Sequence, residues 1–505
     1  MRRSGILMAV SSLPSKYGIG CFSREALRFV DDLVEAGQSI WQILPLGPTS
    51  FGDSPYQSFS TFAVNPYFID PDTLVSYGWI SEDDINEYNW GNNVSKVDYA
   101  LIYNSRFKLL RKAFKEFSKE KDSKLRAEFD KFISDNEFWL PDYALFMALK
   151  DAHGGKSWSE WETPLKLRKE GDIKAAFTKY ADDVRFYEFL QFEASREWRS
   201  VKDYANEKGV SIVGDIPIYV AFDSSDAWAA PELFQFKDME PVAVAGCPPD
   251  AFAADGQLWG NPLYNWDYHK STGYSWWMKR LSHCFEIYDI VRIDHFRGFD
   301  AYYSIPYPAV NARKGKWVKG PGFELFKTMK EQLGEHPVIA EDLGFLTASV
   351  KRLVKRTGYP GMKILQFAFN VGEDSDYLPH NYTNNCVVYT GTHDNDTTLS
   401  WYEGLKSGDK RWTDKYIGIP KDAKKNDIPW YFIKAAFASV SDMAIIPMQD
   451  VLSLPGSARM NFPSTLGGNW EWRMKPEAFS KAKKKRLYEL SETYMRNDLH
   501  KDEEK

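Results

Sequence analysis

Eight short apolar runs, separated by stretches of helical period, recur along this chain of 505 residues, and that alternation constrains the fold most. The runs are Gly5–Val10 (GILMAV), Ser39–Leu46 (SIWQILPL), Ser211–Val220 (SIVGDIPIYV) and the stretch that leads into VRIDHFRGF at Val291. Pro337–Gly344 (PVIAEDLG), Lys363–Phe369 (KILQFAF), Val387–Asp396 (VVYTGTHDND) and Ala444–Leu452 (AIIPMQDVL) complete the set. Runs of this length, rich in β-branched residues and bounded by polar turns, read as buried strands. Strands alternating with helices predict a parallel sheet, and eight such units predict a (β/α)8 TIM barrel. The chain is longer than eight minimal units need. We therefore expect one barrel over residues 1–505, with insertions at about 68–182, about 221–268, about 302–321 and about 397–440. The first insertion is largely helical, as Phe107, Leu110, Phe114 and Phe117 show by their period. The second, rich in Pro, Gly and aromatics, has no regular period and places Trp228, Phe252, Gln257 and Trp259 to line a groove.

Three strand ends carry acids in the same relative position: Asp294, Glu341 and Asp394. At the carboxyl ends of barrel strands such residues converge on one mouth, where barrels place their chemistry. Side chains alternate along a strand, so Arg292 and Asp294 share a face. A guanidinium beside a carboxylate favours ionisation, so we expect Asp294 with a lowered pKa, as a carboxylate nucleophile needs. Glu341, with Asp394 as a neighbouring anion, is expected with a raised pKa, as a general acid needs. Two carboxyls in these roles are the requirement of retaining glycoside chemistry. Asp215 interrupts an apolar strand and must meet a partner or a ligand, because an unpaired buried acid is costly.

Each residue also has a plainer reading. Asp394 and His393 could cap a helix, and His295 could be a packed strand-end histidine. Asp342 alternates away from Glu341 and reads as structural, and Gly391 and Asn395 read as turn residues. The segment Gly18-Ile19-Gly20 lacks the third glycine of a dinucleotide turn. A metal-dependent barrel hydrolase needs several converging histidines, and only His295 and His393 sit at these strand ends. A non-catalytic glucan-binding protein would use the aromatics alone, without the converging acids. Net charge −6 argues against a nucleic-acid or anionic-membrane partner. Four scattered cysteines without CxxC spacing, and no long apolar run, fit a reduced, cytoplasmic chain.

Taken together, the motifs GDSPYQSFS, GDIPIYV, GQLWGNPLY, VRIDHFRGF, AEDLG, GTHDNDT and RMNFP resemble the amylomaltase, or disproportionating-enzyme, family of 4-α-glucanotransferases in the α-amylase clan. The resemblance spans nearly the whole chain. It implies a barrel with inserted subdomains and no carboxyl-terminal β-sandwich, for which the chain after the eighth strand is also too short. It implies transfer of α-1,4-glucan segments between maltooligosaccharide, starch or glycogen chains through a covalent intermediate, with amylase-type hydrolysis as the alternative. Asp294 would be the nucleophile, Glu341 the acid/base and Asp394 the stabiliser. Arg292, His295, His393 and Asp215 would line the reacting glucose, with Tyr56 stacked on it. Ser54, Gln257, Trp259 and Asn461 would contact neighbouring units. The resemblance implies no cofactor and no metal. The chain departs from some relatives in carrying Ala251 before Phe252, where they carry two adjacent aromatics.

Overall fold

A computed structural model describes residues 2–497, apart from 51, 120, 122, 250–253 and 345. Its centre is one eight-stranded parallel sheet: β1 Arg3–Leu7, β2 Ile40–Gln42, β3 Ser211–Pro217, β4 Ile290–Asp294, β5 Val338–Ala340, β6 Gly361–Ile364, β7 Cys386–Tyr389 and β8 Met443–Pro447. The order β5-β4-β3-β2-β1-β8-β7-β6 is that of a barrel opened between β5 and β6. There the Ala340 amide donates to the Pro360 carbonyl at 3.0 Å and draws the two edges together. Strands buried on both faces read as continuous apolar runs, which is why they stand out in the sequence. The apolar runs outlast the ladder, however. Ile43 to Leu46 are buried beyond β2, Leu365–Phe367 curls into a 3-10 turn after β6, and Met448–Val451 is a helical turn after β8.

Helices pack around the barrel: α1 Arg24–Glu35, α2 Ala181–Glu207, α3 Ser275–Ile287, α4 Phe323–Leu333, α5 Ala348–Thr357, α6 Ile428–Ala438 and α7 Lys481–Thr493. Ser23 caps α1, its side chain accepting from the Glu25 amide, and Ala26, Phe29, Val30 and Leu33 form the buried stripe. Gly214 in β3 is required by a close approach, since a Cβ there would lie 2.1 Å from the Tyr288 ring. Among the helices between β2 and β3, Tyr99–Phe117 stacks on α2 through Phe114, Phe117, Phe189 and Phe192, and Leu140–Ala152 meets it through Tyr143 and Tyr187.

The segment expected to be irregular contains ordered strands. Lys316–Lys319, Ala301–Pro306, Ala243–Cys247 and Gln257–Pro262 form a four-stranded antiparallel sheet in that order. AVAGC has no polar–apolar alternation because it is buried nearly throughout, so period alone could not reveal it. Trp228 is core rather than groove. It is fully buried, donates from Nε1 to the Leu165 carbonyl at 3.0 Å, and lies 4.2 Å under the Arg168 guanidinium. Tail helix α7 ends at Thr493. Beyond α7, buried Arg496 donates to the carbonyls of Phe437 and Arg3 at the amino-terminal end of the barrel.

Candidate active site

The three acids meet at the carboxyl-terminal mouth of the barrel. Asp294 is the last residue of β4, Glu341 follows β5, and Asp394 lies in the loop after β7. Arg292 is central. Its Nη1 donates to both oxygens of Asp215, at 2.6 and 2.7 Å, and its Nη2 donates to Asp294 Oδ1 at 3.0 Å. The partner Asp215 needed is therefore this guanidinium, which is buried with it. A buried pair of this kind is costly to break from one side, because the other charge is left unpaired.

The expected lowering of the Asp294 pKa is overturned. Burial by the cleft walls raises it above the usual carboxylate range, more than Arg292 offsets. The guanidinium gives most of its capacity to Asp215 and only one bond to Asp294. Glu341 is raised to about 7, first by burial and then by the charge of Asp294. The anion responsible is thus Asp294, not the expected Asp394. Each Glu341 oxygen accepts one backbone amide: Oε2 from His295 at 2.7 Å and Oε1 from Leu343 at 2.8 Å. His295 makes this possible by adopting the left-handed region at φ 51°, which turns its N–H toward Glu341. A non-glycine residue held there is strained, a recurrent feature of sites where geometry is imposed by function.

The other expected contacts gather around the same mouth. Tyr56 lies flat against His393, with ring centroids 5.0 Å apart, and its hydroxyl donates to Asp215 Oδ2 at 2.8 Å. Ser54 accepts the Tyr56 amide at 3.3 Å and shapes that loop. Trp259 donates to Gln257 Oε1 at 3.0 Å and meets the His295 ring edge-on at 4.8 Å. Burial lowers the His295 pKa to about 3, so its imidazole is neutral, and its Nε2 has no hydrogen-bond partner among the described residues. Asn461 donates to Asp394 Oδ1 at 2.7 Å, while His393 Nε2 lies 3.5 Å from the same oxygen. Phe252, with Ala251, lies outside the described residues. Asn395 is a turn residue, accepting from Thr392, and Asp342 accepts the Met362 amide at 2.7 Å.

Asp450 is a residue the sequence reading passed over. Fully enclosed behind the mouth, it accepts from Thr390 Oγ1 at 2.5 Å, from the Thr398 amide at 2.7 Å and from Thr398 Oγ1 at 2.6 Å. It ties down both ends of the loop that carries His393 and Asp394. Its signal was available: like Asp215, it is a single acid inside an apolar run. Trp470, 5.8 Å from Tyr56 and 5.9 Å from His393, was also missed. Among the described residues, no three His, Cys, Asp or Glu side chains are grouped to hold a metal ion, and no helix is long and apolar enough to cross a membrane.

The arrangement pairs a carboxylate held by a guanidinium with a carboxyl tuned to protonate near neutrality, which is the equipment for glycoside double displacement. Comparison with known proteins agrees. A family profile described as 4-alpha-glucanotransferase matches residues 8–479. A Clostridium butyricum 4-alpha-glucanotransferase is 48% identical over 97% of this chain and 100% of its own length. The Thermus thermophilus 4-alpha-glucanotransferase is 45% identical over 97% of this chain and 98% of its own. Among solved structures, the Streptococcus agalactiae amylomaltase in complex with acarbose superposes with TM-score 0.95 at 43% identity, covering 99% of this chain and 100% of its own. The Corynebacterium glutamicum amylomaltase shares the fold, with TM-score 0.81 at 18% identity over 98% of this chain and 75% of its own. On sequence, fold and site together, the chain belongs to the 4-α-glucanotransferase family.

Proposed function

We propose that the chain transfers α-1,4-glucan segments between maltooligosaccharides or longer α-glucans by a retaining double displacement. Asp294 attacks the anomeric carbon of the donor. Glu341, protonated near neutral pH, gives its proton to the departing glycosidic oxygen. The same carboxylate then takes the proton from the 4-hydroxyl of an acceptor chain, which attacks the glucosyl–Asp294 ester from the face the leaving group vacated. Two inversions restore the α configuration. Arg292 and Asp215 orient Asp294, and Asp394 with His393 accepts and donates hydrogen bonds to hydroxyls of the reacting ring. Tyr56 offers that ring an aromatic wall, with its hydroxyl anchored on Asp215. Ser54, Gln257, Trp259, Asn461 and Phe252 would meet flanking glucose units, with His295 neutral beside Trp259.

The observation that supports this reading is the pair Asp294 and Glu341, held by different partners in one mouth, with the Glu341 carboxyl raised to about 7. Maltotriose alone tests it. Transfer yields glucose and a ladder of maltooligosaccharides longer than the starting sugar. Accumulation of glucose and maltose alone, with nothing longer, would make the enzyme a hydrolase instead.

A further inference from the structure

Outside the barrel mouth, a cleft opens to solvent between the start of the Leu140–Ala152 helix, the Ser225–Ala229 turn and the first turn of α3. None of the residues placed in catalysis lines it. Its walls combine aromatic surface with unspent hydrogen-bonding capacity. Phe138 is 40% exposed, and Tyr268 and Trp276 are half-buried. The Glu232 carboxylate, the Ser275 and Tyr268 hydroxyls and the Trp276 indole N–H have no side-chain hydrogen-bond partner among the described residues. Lys279 adds a cation, 5.3 Å over the Phe138 ring.

Charges of both signs beside aromatic rings suit neither a simple anion nor a simple cation. They suit a neutral ligand with apolar ring faces and a rim of hydroxyls, since aromatic rings cover C–H faces while the rim finds donors and acceptors. The cleft is also tied to the catalytic loop. At its floor Asp226 accepts from the Thr61 amide at 2.9 Å and from Thr61 Oγ1 at 2.8 Å, five residues along the same loop from Tyr56.

We propose that this cleft is a second, non-catalytic binding site for an α-1,4-glucan chain, holding a long substrate against the face on which the barrel mouth opens. The proposal rests on α-glucan being the substrate class. A second anchor raises the local concentration of chain at the mouth, and it can do so only for substrates long enough to reach both sites.

Substrate length therefore provides the test. Trp276→Ala, and separately the double variant Glu232→Ala with Tyr268→Phe, should raise KM for amylose by about three- to tenfold, the range supplied by one aromatic contact in the first case and by one hydrogen bond in the second. The kcat, and the KM for maltotriose, should stay unchanged. The double variant removes only exposed or half-buried polar groups, so it remains informative if Trp276→Ala, which packs on Phe62, folds poorly. Calorimetric titration of Asp294→Asn with maltoheptaose should show two sites, reduced to one when Trp276→Ala is added. One site in both proteins, or equal KM changes for amylose and maltotriose, overturns the proposal. Maltotriose conversion by the unaltered chain is the separate control on the substrate class.

Discussion

Replacing Glu341 by Gln should make the protein's stability less sensitive to pH, and the size of that effect follows from the site. In the fold the Glu341 carboxyl titrates at about 7, against 4.5 when unfolded. Below 4.5 both states hold the proton. Between 4.5 and about 7 the folded state holds more protons than the unfolded one, so stability falls as pH rises. Above 7 the loss is complete. At 1.36 kcal/mol per pH unit this is about 3 kcal/mol at most. Gln cannot ionise and escapes the loss. It also has one acceptor oxygen for the two amides of His295 and Leu343, a fixed penalty of about 1–3 kcal/mol that does not vary between pH 5 and 8. The pH-dependent part is therefore isolated by subtraction. Unfolding entropy of about 2.1 cal/mol/K per residue over 505 residues converts 3 kcal/mol into about 3 °C. Differential scanning calorimetry at one scan rate should find that the Tm of Glu341→Gln, minus that of the unaltered protein, rises by about 2–3 °C from pH 5 to pH 8. A difference that stays flat, or falls, would refute the assignment of a raised Glu341 pKa.

The same titration should appear in activity, with kcat/KM for maltotriose declining above about pH 7 as Glu341 loses the proton it must donate; a plateau extending to pH 9 would contradict this. Tyr56→Phe should lower kcat/KM roughly tenfold, because its hydroxyl donates to buried Asp215, and activity within twofold of the unaltered protein would show that the ring alone matters. Arg292→Lys cannot reproduce one guanidinium bridging two carboxylates, and it should cost about 3 kcal/mol of stability along with nearly all turnover, read by calorimetry and product formation. Asp450→Ala strands the Thr390 hydroxyl and two Thr398 donors, so both Tm and kcat should fall, with Asp450→Asn restoring part of each; an unchanged kcat would limit Asp450 to stability.

The barrel and its acids were legible because burial on both faces turns each strand into an apolar run. Asp215, Asp294 and Glu341 interrupt those runs or end them. Strand ends were less legible. Ile43 to Leu46 are as apolar as β2 itself because they are just as buried. The antiparallel sheet escaped notice because AVAGC has no alternation to detect. The Asp294 pKa was misjudged for a different reason. Arg292 is two residues away in sequence and could be counted, but the walls that desolvate Asp294 come from other elements of the chain. Asp215's claim on the guanidinium likewise depends on β3 lying beside β4, with Asp215 in register with Arg292. Asp450 could have been found by the argument applied to Asp215, but it carried no expected role at a strand end.

In the proposed mechanism Asp294 carries the glucosyl group and Glu341 serves the proton transfers. A donor with an activated leaving group, such as α-glucosyl fluoride, forms the intermediate with little acid help, whereas its breakdown needs a base. Glu341→Gln mixed with α-glucosyl fluoride should therefore accumulate the intermediate. Peptide mass spectrometry after acid quench should find a hexosyl adduct on the peptide containing Asp294, absent when Asp294→Asn is added. An adduct on Asp394, or no adduct together with a product of inverted anomeric configuration, would contradict the account.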